Sequence, residues 1–145
     1  MPPEELHAIE LLGRVPYGRL ATSMRALPIL AVARHIVIDG RVVLRMHGGL
    51  GYHEACNGTV VAYGADNFNT APSGDDNGEL WSVQFTGPAE IVRPTPGQQE
   101  RFGAVPAQVN GEPFAPAYLG VDPHFVSVHT LGFPRKSTEP QHSVI

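Results

Sequence analysis

The sequence predicts a mainly β fold: an antiparallel, Greek-key-like barrel of about six strands, with a few short helices packed outside. Three observations carry this. Gly 16 and Pro 14 in 145 residues are both high, which favours many turns and short strands over long helices. Apolar runs of strand length follow one another across turn-sized gaps, and strands joined by short turns pair antiparallel. Asp39-Gly40 sits between "ILAVARHIVI" and "RVVLRMH", the strongest short hairpin signal a sequence offers. Closing such apolar strands into a barrel removes the edges they would otherwise expose.

Taken in order, "PPEELHAIELLGRV" reads as a short helix. Its prolines suit the first turn, and its glutamates favour the positive end of the dipole. Leu6, Ile9 and Leu12 recur at helical spacing before Gly13 stops it. "YGRLATS" is a strand from Tyr17 to Ser23, and "MRALP" connects it to the Asp39-Gly40 hairpin. Gly48, Gly49 and Gly51 follow, then "YHEAC" as a turn or two of helix closed by Asn57-Gly58. "TVVAYGAD" is a strand from Thr59. "NFNTAPSGDDNGE" is a loop, its Asp75-Asp76 pair solvated. In "LWSVQFTGPAEIV", Trp81, Val83 and Phe85 alternate with Ser82, Gln84 and Thr86, and Gly87-Pro88 marks a bulge or bend. "TPGQQERFGAV" holds a short helix. "GEPFAPAYLGVDP" has too many prolines for a regular element. "HFVSVHTLGF" is the last strand, and the tail frays from about residue 134. There is no repeat, so residues 1–145 are read as one domain.

Composition narrows the function classes. Hydrophobic content of 42% and charged content of 17% are those of a globular protein. A formal net charge of −4 supplies no field for a nucleic-acid backbone, so no nucleic-acid partner is expected. Cys56 is the only cysteine, which excludes an internal disulfide and a cysteine-based zinc cluster; it is either a nucleophile or a packing thiol. No apolar run approaches the roughly 18 residues of a membrane helix, and the N-terminus is acidic rather than a cationic leader. The expectation is a cytoplasmic protein without a membrane partner.

The stretch "VVLRMHGGLGYHEACNG", Val42 to Gly58, carries the chemistry. A strand ends with Arg45 and His47 on one face, because side chains alternate, and runs into a glycine-rich turn. Arginine holds two phosphate oxygens bidentately, glycines let backbone N–H groups approach an anion, and a helix beginning near Gly51 presents its positive end. The stretch is therefore either an anion site or a polar strand end with a flexible loop. His47 and His53 are a zinc pair only on paper, since no third ligand is apparent. Arg34 and His35 interrupt an apolar strand, and a buried charge there needs a partner. No Ser/His/Asp arrangement has catalytic spacing.

"GRLATS", "LPILAVARHIVIDGRVVLRM", the glycine turn, "GTVVAYGAD", "LWSVQFTGPAEIV" and "PHFVSVHTLGF" occur in an order that resembles the pyridoxamine 5′-phosphate oxidase-like family. These are FMN-binding split β-barrels that include nitroimidazole-resistance-type flavoproteins. The resemblance runs from Gly18 to Phe133, and Trp81, Ser82, Val83, Gly87, Ala89 and Val92 are its most distinctive part. It implies a homodimer with flavin at the subunit interface. The phosphate would lie at Arg45, Met46 and His47 and the turn after them, at Leu50, Gly51, Tyr52 and His53. The ring would rest along Ala31, Val32 and Ala33, with Arg34, His35 or Arg19 within reach. Trp81 is either a core or dimer residue or a ring stacked on the flavin. Where the family carries a lysine after the turn, this chain reads Gly51-Tyr52-His53 and then Glu54. The expected function is flavin-dependent oxidoreduction of a small oxidised organic molecule. The alternative is a non-catalytic module of the same fold that binds deazaflavin, haem or a small metabolite, or nothing. Residues 110–123 are either a lid over the cleft or inert surface.

Overall fold

A computed structural model of the chain describes residues 2–69 and 79–132. Asp75-Asp76 and the tail from about residue 134 lie outside the described residues. Helix α1 (Pro3–Leu12) leads into strands β1 (Tyr17–Met24), β2 (Leu27–Ile38) and β3 (Arg41–His47). A 3-10 turn (Gly48–Leu50) and α2 (Tyr52–Cys56) follow, then β4 (Val60–Asp66), β5 (Leu80–Ile91) and α3 (Pro96–Arg101). The chain ends with β6 (Gln108–Val109), β7 (Glu112–Pro113), β8 (Pro116–Val121) and β9 (Phe125–Leu131).

The strands pair antiparallel in the order β4-β1-β2-β3-β8-β5, and β5 pairs back onto β4, which closes a barrel of six. Strand β9 adds to β5 beside that ring. The predicted hairpin forms as read: Asp39 and Gly40 have φ of 51° and 77°, the left-handed pair that a tight two-residue turn needs. The β1–β2 connection is tighter than "MRALP" suggests. Both strands run to a turn of Arg25 and Ala26, at φ 51° and 67°, a conformation side chains pay for.

Alternation sorts each strand into an inner and an outer face. Leu20, Leu44, Tyr63, Phe85, Leu119 and Val121 fill the barrel, all fully buried. Helix α1 lies against β9 and covers this core with Ala8, Leu11 and Leu12. The apolar face expected for it is corrected: Leu6 points to solvent and is 54% exposed, because the helix turns its Ala8–Leu11–Leu12 side inward.

The proline-rich "GEPFAPAYLGVDP" is also corrected. It contains β7 and all of β8, and β8 closes the ring by pairing with β3 on one side and β5 on the other. Its prolines fall at boundaries, Pro113 ending β7 and Pro116 opening β8, where a missing N–H does little harm. The expected bend at Gly87-Pro88 is the point where β5 changes partner, from β9 over residues 80–86 to β8 over residues 89–91. There the backbone of the β8–β9 connection crosses so closely that a Cβ on Gly87 would stand 1.7 Å from the Asp122 carbonyl oxygen.

Candidate functional site

A cleft of about 360 Å³ lies on the outer face of β1–β3. Its floor is Tyr17, Leu30, Val32 and Arg34, with Arg45 and His47 from the neighbouring strand. The same alternation that sends Ala33 into the core turns Val32 and Arg34 outward. Pro106, Val109 and Phe114 roof the cleft from the segment that carries the β6–β7 hairpin, and Leu50 and Tyr52 border it from the turn after β3.

The two arginines stand directly opposite each other across the β2–β3 pair. Like charges so placed repel unless the surroundings hold them. Here backbone carbonyls do so. Arg45, only 2% exposed, donates to the carbonyls of Gly103 (3.2 Å) and Ala104 (2.9 Å), with its guanidinium 5.5 Å from the Phe102 ring centroid. Arg34 donates to the carbonyls of Pro16, His35 and Arg101. Both side chains thus tie down the chain leaving α3, as cations at a helix C-terminus do. Carbonyls orient a guanidinium without neutralising it. Among the described residues no carboxylate lines the cleft, so nothing there neutralises the two guanidinia.

His47 is 9% exposed, its ring 5.6 Å from that of Phe114. The Ala115 N–H donates to its Nδ1 at 3.1 Å. A neutral ring that accepts at Nδ1 carries its proton on Nε2, which leaves Nε2 no lone pair for a metal. Nε2 is buried without a hydrogen bond, 3.8 Å from Glu112 Oε2, and the His53 Nδ1 is also buried and unpaired. Among the described residues no group of three His, Cys, Asp or Glu side chains could hold a metal ion. The ring rests on Gly49, where a Cβ would meet Nε2 at 2.4 Å.

Beneath the floor, His35 is the buried polar group of β2. Its Nε2–H donates to the Leu12 carbonyl at 2.8 Å, and its Nδ1 meets the Tyr63 hydroxyl, which also reaches the Ala33 carbonyl at 3.1 Å. Burial lowers the His35 pKa, with the Arg34 charge adding to the shift, so the ring is held neutral; burial likewise pushes the Tyr63 hydroxyl well above its ordinary range. Cys56 is fully buried and its thiol is pushed up by desolvation, the state of a packing residue.

A family profile described as pyridoxamine 5′-phosphate oxidase matches residues 4–130. The chain belongs to the pyridoxamine 5′-phosphate oxidase-like family. It is 34% identical over 100 residues to the uncharacterized protein Rv0080 of Mycobacterium tuberculosis, an alignment covering 66% of this chain and 62% of that relative. Among solved structures it is similar to the FAD binding protein from Mycobacterium smegmatis, at a TM-score of 0.64 and 20% identity over 88% of this chain and 96% of that one. It is also similar to the FAD and heme binding protein from the same organism (TM-score 0.64, 16% identity, 94% and 75% covered). A FAD-binding protein from Mesorhizobium loti superposes at a TM-score of 0.56 with 15% identity over 85% and 90% of the two chains. At those identities the likeness is one of fold.

For a pyridoxamine 5′-phosphate oxidase-like chain, the residues singled out from the sequence divide as follows. Arg45, Met46, His47, Leu50 and Tyr52 border the cleft, as do Ala31, Val32 and Ala33. Gly51, His53 and Trp81 do not. Gly51, at φ 73°, joins the 3-10 turn to α2, which carries His53; Trp81 packs in the barrel core at 2% exposure. Arg19 faces outward on β1 without bordering the cleft. Residues 110–123 split between two roles, since Phe114 roofs the cleft while β8 is barrel wall. Sequence reasoning missed Tyr17, Leu30, Pro106, Val109 and Phe114. The one signal for the roof was Asn110-Gly111, whose φ of 51° and 83° turn the β6–β7 hairpin.

Proposed function

We propose that the cleft binds a flavin and that the protein is a flavin-dependent oxidoreductase acting on a small oxidised organic molecule. The observation that carries this is a cleft with one apolar and one cationic end and, among the described residues, no carboxylate between them. Its volume of about 360 Å³ falls in the range of small-molecule sites. Leu30, Val32 and Phe114 offer apolar surface to a fused ring, while Arg34 and Arg45 offer charge to a phosphate. A guanidinium has five N–H donors, and Arg45 commits two of them to the chain. Fixed charge at this end offsets the lysine missing after the glycine turn. The names of the similar structures, FAD-binding proteins among them, add support.

When bound, a flavin supplies the electron transfer; the chain's own part is to bind, orient and exclude water. Arg34 and Arg45 hold the anionic tail. The roof from Pro106 to Phe114 keeps solvent from the ring, and Tyr17 and the His47 Nε2–H are hydrogen-bond donors beside it. FMN is the smallest cofactor that meets these features. The assembly we propose is a homodimer with the cleft at its interface. Leu30 and Val32 of β2 are 71% and 64% exposed on one outer face, an apolar stripe that a second copy would cover. No helix of the described residues is long and apolar enough to cross a membrane, and we place the protein in the cytoplasm.

The visible spectrum of the purified protein, alone and with added FMN, tests the reading. Bound flavin with a perturbed absorbance band is the expected result. A colourless protein that leaves the spectrum of added FMN unchanged refutes it. Haem binding is the second reading, favoured by the similarity to a FAD and heme binding protein. Against it stands His47, whose Nε2 carries a proton where an axial ligand needs a lone pair.

A further inference from the structure

Beyond Arg34 the outer face of β2 opens into a second groove of about 440 Å³, with Arg34 as the wall it shares with the first. The rest of its rim is the end of α1, the Gly13–Pro16 connection and Arg101 of α3. The chain is −4 overall, yet Arg14, Arg34 and Arg101 line this groove and, among the described residues, no carboxylate does. Ile9, Val15, Pro16, Ile36 and Val37 give it an apolar wall.

Two of the three charges are held in place without being cancelled. Arg14 meets Glu10 at 2.6 Å, so its charge is paired. Arg34 donates to the Arg101 carbonyl at 3.3 Å, and the Arg101 guanidinium donates to the Val37 carbonyl at 2.8 Å. A carbonyl orients a guanidinium but leaves its charge for an anion to meet. His35 behind them is already committed, its ring nitrogens meeting the Leu12 carbonyl and the Tyr63 hydroxyl. The groove around Arg41, about 450 Å³, is built the other way. There Arg41 meets Glu90 at 2.5 Å and Asp122 at 2.9 Å, and Asp39 lines the wall as well. An anion entering it would find the central charge taken.

Unpaired charge and apolar wall together set the class of ligand. A guanidinium receives a carboxylate through two parallel N–H···O bonds. The apolar wall adds nothing for a bare inorganic anion and favours a ligand with hydrocarbon or aromatic surface to bury. We infer that this groove is a second ligand site, for a small carboxylic acid with an apolar body: the carboxylate lies on Arg101 and Arg34, the body against Val15 and Ile36. Because Arg34 borders both grooves, this carboxylate competes with an anion in the first cleft for one guanidinium, and each ligand weakens the other reciprocally. The second site stands apart from the flavin reading; the competition rests on it.

Benzoate, benzamide and inorganic phosphate, titrated into the full chain labelled with nitrogen-15, test the site. Benzoate carries charge and body, benzamide the body alone, phosphate the charge alone. Benzoate is expected to shift the amide signals of Val15, Ile36 and Val37 saturably, and the other two to bind about tenfold more weakly or worse, the scale of one charge-assisted hydrogen bond. Arg101→Met, which does not touch the first cleft, should lose about tenfold in benzoate affinity, and Arg101→Lys should restore part of it. Benzamide or phosphate binding as well as benzoate overturns the site on the wild-type chain alone, whether or not the variants fold. So do shifts that cluster away from the groove, or a folded Arg101→Met that keeps its benzoate affinity. Saturating benzoate should then weaken FMN binding about fivefold or more in the wild-type chain. FMN affinity that benzoate leaves unchanged overturns the competition. If no FMN binds at all, the competition falls together with the flavin reading, while the benzoate titrations still decide the site.

Discussion

Gly87→Ala tests whether the closure of the barrel depends on one backbone crossing. The new methyl would stand 1.7 Å from the Asp122 carbonyl oxygen, 2.9 Å from its carbon and 3.1 Å from the His124 nitrogen, where ordinary contact begins near 3.4 Å. All three are backbone atoms, so no side-chain rotation relieves the clash. The β8–β9 connection would have to retreat by well over 1 Å, roughly the difference between those distances. Two hydrogen bonds straddle that point, Asp122 N–H to the Pro88 carbonyl at 3.0 Å and His124 N–H to the Thr86 carbonyl at 2.9 Å. A displacement that large breaks both. Each lost bond costs about 0.5–1.5 kcal/mol, and overpacking adds about 1–3 kcal/mol. The expected loss is therefore about 3–5 kcal/mol, a large part of a typical domain's stability of roughly 5–15 kcal/mol. At this chain length that corresponds to a fall in Tm of about 10 °C or more. Urea unfolding and thermal circular dichroism measure it, with Gly97→Ala as control, since nothing lies within 4 Å of a Cβ there. Were Gly87→Ala to unfold within about 1 kcal/mol of the wild-type chain, the crossing would not be what fixes the partner change.

Further outcomes follow from the same contacts. Arg45→Met deprives the Gly103 and Ala104 carbonyls of their donor and should cost about 2–4 kcal/mol in urea unfolding; a loss below about 0.5 kcal/mol would mean the guanidinium does not hold the chain after α3. Burial holds His35 neutral with its pKa below the ordinary value, so its stabilising contribution is complete above about pH 6.5 and shrinks as pH falls below that. The unfolding midpoint should drop between about pH 7 and pH 5, and His35→Gln should flatten that slope; an unchanged slope in the variant assigns the effect elsewhere. Ala26→Gly relieves a left-handed alanine at φ 67° and should gain about 0.5–1 kcal/mol, checked by the same unfolding series, where a loss counts against strain in this turn. Leu30→Lys places a charge in the exposed stripe of β2 and should convert a dimer to monomer in sedimentation; a monomeric wild-type chain sinks the proposed interface.

Much of the barrel was legible because strand physics is local. A period of two in "LWSVQFT" already assigns Trp81, Val83 and Phe85 to the inside, and all three are buried there. Asp39-Gly40 dictates its turn with two residues. Part of the cleft followed as well, since alternation alone puts Arg45 and His47 on one face of their strand, and both border the cleft. What failed did so for identifiable reasons. A count of prolines hid β8, because a proline at a strand boundary and one in a strand interior read alike in composition. Periodicity gave α1 an apolar stripe but left open which side of it the barrel would cover.

The order of side chains along each strand, and so which of them face in or out, was determined by the sequence alone, because neighbouring residues must alternate whatever they pair with. Only the tertiary structure decided which strands meet. The change of partner at Gly87, the cross-strand pairing of Arg34 with Arg45 and the roof that Phe114 lends to the cleft all join segments distant in the chain. Those contacts are won against loop-closure entropy by packing that no local pattern records. The two unneutralised guanidinia exist as a site only after that closure brings them together.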